Sequence, residues 1–579
     1  MDAKNEFVEK QLLLHQSMKN KRENTWDSFW DEIAAMFTPE LYMRPGNNYE
    51  QGKRFGQDLW DGYPQLALHT WSKGIPGNMI YENFETTPWM TLRMNAPALM
   101  NDLDVKKYCE ARTEQVFWSL RKTNFYEINP QFCRYSGAIA GYLFPIVDHK
   151  SRSVHFYLED PFYVWVERDI FGKLHRIHRE FDKSIQSLAD EFGEKNISKN
   201  RQIALKHQPF TEITILHGIF PNPDWDSASL NADQKPYVEF YIDKAERQLL
   251  YKGGVDFMPV DWCVEKAPRS TYPLTPAMFA LTDAYGSDTL CKALYGVALE
   301  SSNPNMRISK TLEDTYKEGP GGITWIMDKD KDIIEQVHKQ LQWPVTDMER
   351  QHLQNKLDWW FAVEYWRLLS NIQGKIPTAY HIQQLQSEKS TLLGPQVSTY
   401  TRQVLDASVD ILSQLEAQWE PLPIPDVLAE YLMNNAAREL ARLGYEPNVN
   451  DVMAHAQKYP MAFLEAKYTG VLTAIQSQVV HSRKYGEGLQ FLAAAREIWP
   501  SIQYIVNEYP LGRHVLEAAN WSEQDMRGRE EYEAIVQQIQ ARQDLMEQAE
   551  AGKTVADAYK RMTKAPEEGS AAEMQMQQA

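Results

Sequence analysis

From residue 274 onward, apolar positions recur every three or four residues in long blocks that proline pairs cut apart. The first block opens at Thr275-Pro276, carries Met278, Leu281, Tyr285, Leu290, Leu294, Val297 and Ala298, and stops at Asn303-Pro304. Threonine can cap orphan amides, and proline in the first turn has no amide to lose, so the spacing predicts a helix of about seven turns. A second block opens at Trp343-Pro344, with Thr346 and Asp347 as candidate caps. It bears Leu353, Leu357, Trp360, Phe361, Tyr365 and Leu368 and ends in the breaker cluster Ser370 to Pro377. A third starts at Thr378 and repeats Ile382, Leu385, Leu392, Val397, Tyr400, Val404, Ile411 and Leu415, with a kink expected at Gly394-Pro395. Its ~40 residues would span roughly 60 Å, more than one domain needs. Such rods need cover from a bundle within the chain or from neighbouring subunits.

The chain before these rods reads differently. A helix is expected over 4–37, with Trp26, Phe29, Trp30, Ile33 and Phe37 on one side, and another from about Asp58 to Lys73, closed by a turn Gly74-Ile75-Pro76-Gly77. An extended stretch from Thr86 to Met94 and a helix from Val105 to Arg121 follow. Short aromatic and β-branched runs then predict strands at Tyr142 to Val147, Val154 to Leu158, Phe162 to Glu167 and Leu174 to Glu180, an antiparallel meander by its spacing, with a turn at Asp169 to Lys173. A short helix at Ser184 to Phe192 precedes further strands at Thr211 to Phe220, Tyr237 to Asp243 and Gln248 to Tyr251. After the rods, three prolines within 421–425 make a stiff linker. Residues 426–520 read as several helices, Trp521 to about Lys560 as a charged helix, and 566–579 as a polar, low-complexity tail.

Composition changes this picture in three ways. At 579 residues, with 43% hydrophobic and 12% aromatic residues, the chain has material for several cores and large contact surfaces. A net charge of −18 argues against a sequence-reading nucleic-acid binder, though not against a protein that touches DNA without gripping it. Cys109, Cys133, Cys263 and Cys291 are far apart and form no CxxC pair, so they are expected reduced and mostly buried. No apolar run is long enough to span a membrane and no signal-peptide layout opens the chain, which points to a cytoplasm-like compartment.

Candidate chemistry is sparse. Gly552-Lys553-Thr554 has Glu547 where a phosphate loop needs its first glycine, and no strand precedes it; a helix terminus accounts for it. His175 and His178 fall on opposite faces of an expected strand, so they cannot share a metal ion, and a surface or interface role is expected for them. No nucleophile elbow, zinc-protease motif or dinucleotide loop occurs. The expectation is therefore no catalytic residue, no metal and no cofactor.

The order of parts resembles that of the portal, or head-to-tail connecting, proteins of short-tailed, podovirus-type bacteriophages. The resemblance is carried by Thr87-Pro88-Trp89-Met90, by Arg121 to Tyr126, by Pro273 to Met278 with Leu281 and Asp283, by Ile376-Pro377-Thr378-Ala379, by Glu388 with Leu393-Gly394-Pro395, and by the proline-spaced 421–425. It covers roughly residues 20–535 and thins in the last hundred, where only helical character matches. Where the family often has an arginine-rich, tryptophan-centred segment, this chain has Asp261 to Lys266.

The resemblance implies an α+β, predominantly helical portal fold. Its parts would be an α/β wing (1–270), stem helices (271–303 and 344–370) around a small α/β clip (304–343), a tunnel loop (371–376), a long wing helix (377–420) and a helical crown (421–535). Residues 536–579 would be a C-terminal helix, in an inner barrel or a mobile tail. It further implies a ring, usually of twelve copies, at one capsid vertex of the virion, assembled in the host cytoplasm. Double-stranded DNA would pass through the axis without sequence-specific contact. Asn371, Gln373, Gly374 and Lys375 would face that DNA. In the clip, strands are expected at Asn305 to Ile308 and Ile323 to Met327, and Arg307, Lys310, Lys317, Gly321 and Trp325 are candidates for docking the terminase large subunit and then tail adaptor or nozzle proteins. The major capsid protein, a scaffolding protein and internal core proteins are further implied partners, with no membrane. A helical scaffolding or tail-adaptor protein without a conduit is the alternative reading.

Overall fold

A computed structural model of the chain describes residues 3–41, 55–56, 58–81, 88–100, 102–225, 235–302, 306–312, 328, 334–336, 343–366, 393–443, 449–468, 509–512 and 529–563. It divides into two units, Met1–Ser477 and Gln478–Ala579.

The first unit begins with α1 (Ala3–Glu23) and α2 (Asp27–Phe37). The single expected helix is thus two. The break lets Arg22, buried between Trp30 and Trp165, donate to the carbonyls of Pro161, Phe162 and Val164 and to Asp27. Four partners for one buried guanidinium outweigh the lost helical bonds. α3 (Tyr63–Pro76) runs into a π-turn, Gly77–Tyr81, and so passes through the expected Gly74–Gly77 turn. Gly74 serves close approach instead: a Cβ there would sit inside the Trp366 indole.

β1 (Met90–Met94) is followed by α4 (Leu103–Lys122), capped by Asp102, and by α5 (Phe125–Ala138), a helix the pattern did not reveal. β2 (Tyr142–Asp148) and β3 (Ser153–Glu159) form a hairpin, and the short β9 (Val260–Asp261) pairs on the outer edge of β2. The true meander is separate: β4 (Val164–Arg168), β5 (Leu174–Ser184), β6 (Glu212–Pro221), β7 (Tyr237–Asp243) and β8 (Gln248–Val255) pair antiparallel in chain order. A 3₁₀ turn at Pro161–Tyr163 divides the two sheets. α6 (Ile185–Phe192) and α7 (Lys199–His207) cover one face of the meander, with Ile185, Leu188, Ile213, Ile215 and Leu250 in its core. α1 lies across the other, where Phe7 and Val8 pack on Phe220 and Phe240. His178 is fully buried under α1, which corrects the expected surface role.

The long rods follow. α8 (Pro276–Ser302) matches the first block, and Thr275 caps it while donating to the Ala138 carbonyl at 2.7 Å. β10 (Met306–Ile308) pairs with β11 (Ile334–Gln336), so its described partner lies further along the chain than the expected 323–327, which falls outside the described residues. α9 (Trp343–Trp360) stops well before Ser370: Ala362 is left-handed (φ 50°), and a short α10 (Val363–Trp366) follows. The left-handed residue turns the chain so that Phe361 is buried 5.7 Å from Phe37, and the Trp366 indole donates to the Phe361 carbonyl.

Of the third rod, residues 393–400 (α11) and α12 (Asp406–Trp419) are described, joined by a π-turn at Thr401–Leu405. Gly394 and Pro395 fall in its first described turn; the irregularity within the described helix is the π-turn. This part does not wait for a neighbour. Val397, Tyr400, Val404, Val409, Leu412 and Leu415 are buried in this unit's own core, and Arg112, Ser119 and Asn129 bond Ser413, Glu416 and Tyr400. α13 (Asp426–Leu443) and α14 (Val449–Lys458) follow the extended 421–425 segment. Next comes β12 (Leu464–Tyr468), a strand inside a region read as helical, which pairs with β1.

The second unit contains α15 (Arg529–Thr563). Tyr532 packs 5.2 Å from Tyr509. Gly552-Lys553-Thr554 lies within this helix rather than at its end.

Candidate functional site

Among the described residues of the first unit, the α8–α9 hairpin carries an apolar surface that its own packing does not cover. The helices run antiparallel: Phe279 stacks on Trp360 near the base, Lys356 lies 3.5 Å from Asp283, and Leu353 faces Gly286. The base is fastened to the body by polar bonds. Asp288 accepts the amides of Trp60 and Asp61 at 2.6 and 2.8 Å, Asp61 accepts Ser287 at 2.5 Å, and Tyr63 donates to Asp358 at 2.6 Å. Burial, with Asp61 and Asp288 adding their negative charge, pushes the Cys291 thiol up to about 11, so it stays protonated at neutral pH.

Inward positions are Ala277, Ala280, Leu281, Ala284 and Leu294, all buried. Tyr285, read from the spacing as part of the same face, is exposed. So are Phe279, Tyr295 and Leu299 on α8, and Trp359, 71% exposed, on α9. Residues 293–299 (Ala-Leu-Tyr-Gly-Val-Ala-Leu) carry no charge, yet Ala293, Tyr295, Ala298 and Leu299 are all exposed. A helix apolar on every side is normally buried on every side. The outward apolar face of α8 is the feature that spacing missed; the uncharged run between Lys292 and Glu300 was its signal.

At the far end of the hairpin, Arg307 lies in β10 opposite Glu335, and Lys310 is exposed on a 3₁₀ turn, Lys310–Leu312. Lys317, Gly321 and Trp325 lie outside the described residues, as do Asn371, Gln373, Gly374 and Lys375. Among the described residues there is no group of three His, Cys, Asp or Glu side chains placed to hold a metal ion, and no helix long and apolar enough to cross a membrane.

The family described as bacteriophage head to tail connecting protein matches residues 10–502, nearly the whole first unit and the start of the second. The chain belongs to that family. This connector is similar to the portal protein of Salmonella phage epsilon15, 22% identical over 446 residues that cover 73% of this chain and 77% of the relative. It is likewise similar to the probable portal protein of Bordetella phage BPP-1, 23% identical over 438 residues, 72% of this chain and 77% of that one. As a head-to-tail connector it is a structural component of the phage particle at the capsid vertex.

Proposed function

We propose that copies of this connector close into a ring, twelve by the family's usual number, around an axial passage through which the genome is packaged and later ejected. The observation that carries this reading is the uncharged run 293–299 of α8 with its exposed apolar side chains, together with exposed Trp359 on α9. An identical neighbour supplies apolar cover for such a face, and a ring supplies it to every copy without free ends. A charge of −18 per copy suits a passage that must let a polyanion slide, since dense cationic contacts would hold it in place. In this reading Asn371, Gln373, Gly374 and Lys375 face the DNA, and a glycine-bearing segment there changes conformation as neighbours move. The clip, with Arg307 and Lys310 on its described part, docks the terminase large subunit first and tail adaptor proteins afterwards. The capsid shell and, during assembly in the host cytoplasm, a scaffolding protein surround the ring.

Electron microscopy of the purified chain tests this directly. Rings with an axial hole are expected, and Tyr295→Asp/Leu299→Asp should leave monomers of unchanged helix content. Solid particles, or single copies at every concentration, would favour a scaffolding or adaptor protein without a conduit. Gly374→Val should still form rings yet lower the yield of genome-filled particles.

A further inference from the structure

α1 is fastened to the meander by unusual chemistry. The residues it buries are Val8, Gln11, His15 and Arg22, so polar groups outnumber apolar ones along the seam. Beneath it, His178 on β5 is 0% exposed, and among the described residues neither of its ring nitrogens has a hydrogen-bond partner. His15 stands 5.6 Å away ring to ring, with its Nε2 on Glu180 at 2.7 Å and its Nδ1 unpartnered. Gln11 Oε1 and Trp165 Nε1 on the same seam are unpartnered as well. Buried polar groups left this way weaken an interface that is otherwise closed.

We propose that α1 is a proton-released strap: protonation of His178 detaches residues 3–23 from the meander. The charges that act most on His178 favour that direction. α1 brings His15, Lys19 and Arg22 to the seam, and β5 itself adds Arg176, which pairs with Glu167 of β4. Glu180 is the acid on this face of β5 nearest His178, and it is already held by His15 and by Lys244, 2.5 Å away, from the end of β7. Glu9 and Arg247 pair with each other at the other end of the strap, near Lys252 on β8. Arg179, His217 and Glu239 form their own network and lie on the opposite face of the strands. An imidazolium at position 178 would therefore be set against Arg176 and His15, with Lys19 and Arg22 on the same seam, and the Gln11 amide oxygen would be its one unpartnered oxygen acceptor there among the described residues.

The pH sign follows. Burial, then the neighbouring His15, Arg176 and His217, holds His178 well below the usual histidine range. The uncovered side chain returns to about 6.5. The docked state is thus fully favoured above that value and loses up to about tenfold in its equilibrium for each pH unit below it.

Hydrogen exchange of the full chain at pH 7.5, 6.0 and 5.0, corrected for intrinsic rates, tests the strap. The open fraction of residues 3–23 is expected to rise about tenfold from pH 6.0 to 5.0, with β6 and β7 unchanged, and His178→Leu should abolish the rise. Equal protection of 3–23 at pH 7.5 and 5.0, or the same rise in His178→Leu, overturns the proposal. Should that variant fail to fold, cysteines placed in otherwise native chains decide it. Labelling by dithiodipyridine of Gln11→Cys, on the buried face, is compared with that of Leu13→Cys, on the exposed one. A ratio that climbs below pH 6.5 supports release, and a constant ratio refutes it.

Discussion

Trp262 lies flat against Trp71, ring centroids 5.4 Å apart and planes within 3° of parallel. Its other side meets Tyr400 edge-on at 5.1 Å, and its Nε1 donates to Thr399 at 3.2 Å. One side chain between the meander and α8 thus fixes α3 to the long helix. Trp262→Ala removes a fully buried indole from both contacts and should cost roughly 3–5 kcal/mol. Trp262→Phe, which keeps a ring and loses the hydrogen bond, should cost clearly less. Urea midpoints of the two variants check the order.

Gly74 offers a test with an inverted sign. In the middle of an exposed helix, glycine to alanine stabilises by up to about 1 kcal/mol. Here the new methyl group would fall within the Trp366 indole. Trp366 cannot step aside easily, because its Nε1 is bonded to the Phe361 carbonyl and its ring stands 4.6 Å from Tyr365. Gly74→Ala should therefore lower stability by about 1–3 kcal/mol, and Gly74→Ala/Trp366→Leu should recover part of the loss. Thermal unfolding of both measures it.

These two sites show what a linear pattern can and cannot carry. α8 was legible because its signals are local: Thr275-Pro276 at one end, Asn303-Pro304 at the other, and apolar spacing between. The meander strands were legible because a short aromatic or β-branched run marks each strand separately. β12 was not, since Leu464-Glu465-Ala466-Lys467 is built of good helix formers, and its partner β1 lies some 370 residues earlier in the chain. α5 was hidden by Pro130 within it. The helix break at Ala362 has neither glycine nor proline to announce it; burial of Phe361 and Trp366 pulls the backbone into the left-handed region at a cost of about 1–2 kcal/mol. The resemblance to head-to-tail connectors was legible from the order of parts, whereas the outward-facing Tyr295, Leu299 and Trp359 needed a structure to separate outside from inside.

Arg112 joins α4 to α12 through a buried guanidinium. It is 1% exposed, donates through Nη2 to the Ser413 carbonyl at 2.8 Å, and through Nη1 to Gln115. Ser119 donates to the buried Glu416 one turn further on. Arg112→Ala would strip that carbonyl of its partner and leave Glu416 without the nearby cation, so a loss of about 3–5 kcal/mol is expected. Arg112→Met, which refills the volume, should cost less. Chemical denaturation separates the two.

His217 makes the fold sensitive to acid in a window that can be worked out. Arg179 Nε can only donate, so His217 Nδ1 must accept at 2.8 Å, and the ring proton sits on Nε2, directed at Glu239 2.8 Å away. A second proton would have to go onto Nδ1, against the guanidinium. Burial first, and Arg179 second, bring this histidine down to about 4. A group depressed in the folded state stabilises fully above its unfolded value near 6.5 and loses that contribution as pH falls toward 4. At 1.36 kcal/mol per unit, about 3 kcal/mol is at stake. Glu239 is likewise held below the usual carboxylate range: burial raises it, but the His217 and Tyr241 hydrogen bonds prevail, so its own contribution fades only below about 4.5. His217→Gln removes the first titration, and the Tyr241 hydroxyl, with the new amide able to donate in place of the imidazole, keeps Glu239 bonded. The stability difference between parent and variant should therefore be constant above pH 7 and shrink steadily from 6.5 to 4.5. A difference that stays flat across that range would mean that folding does not depress the buried imidazole.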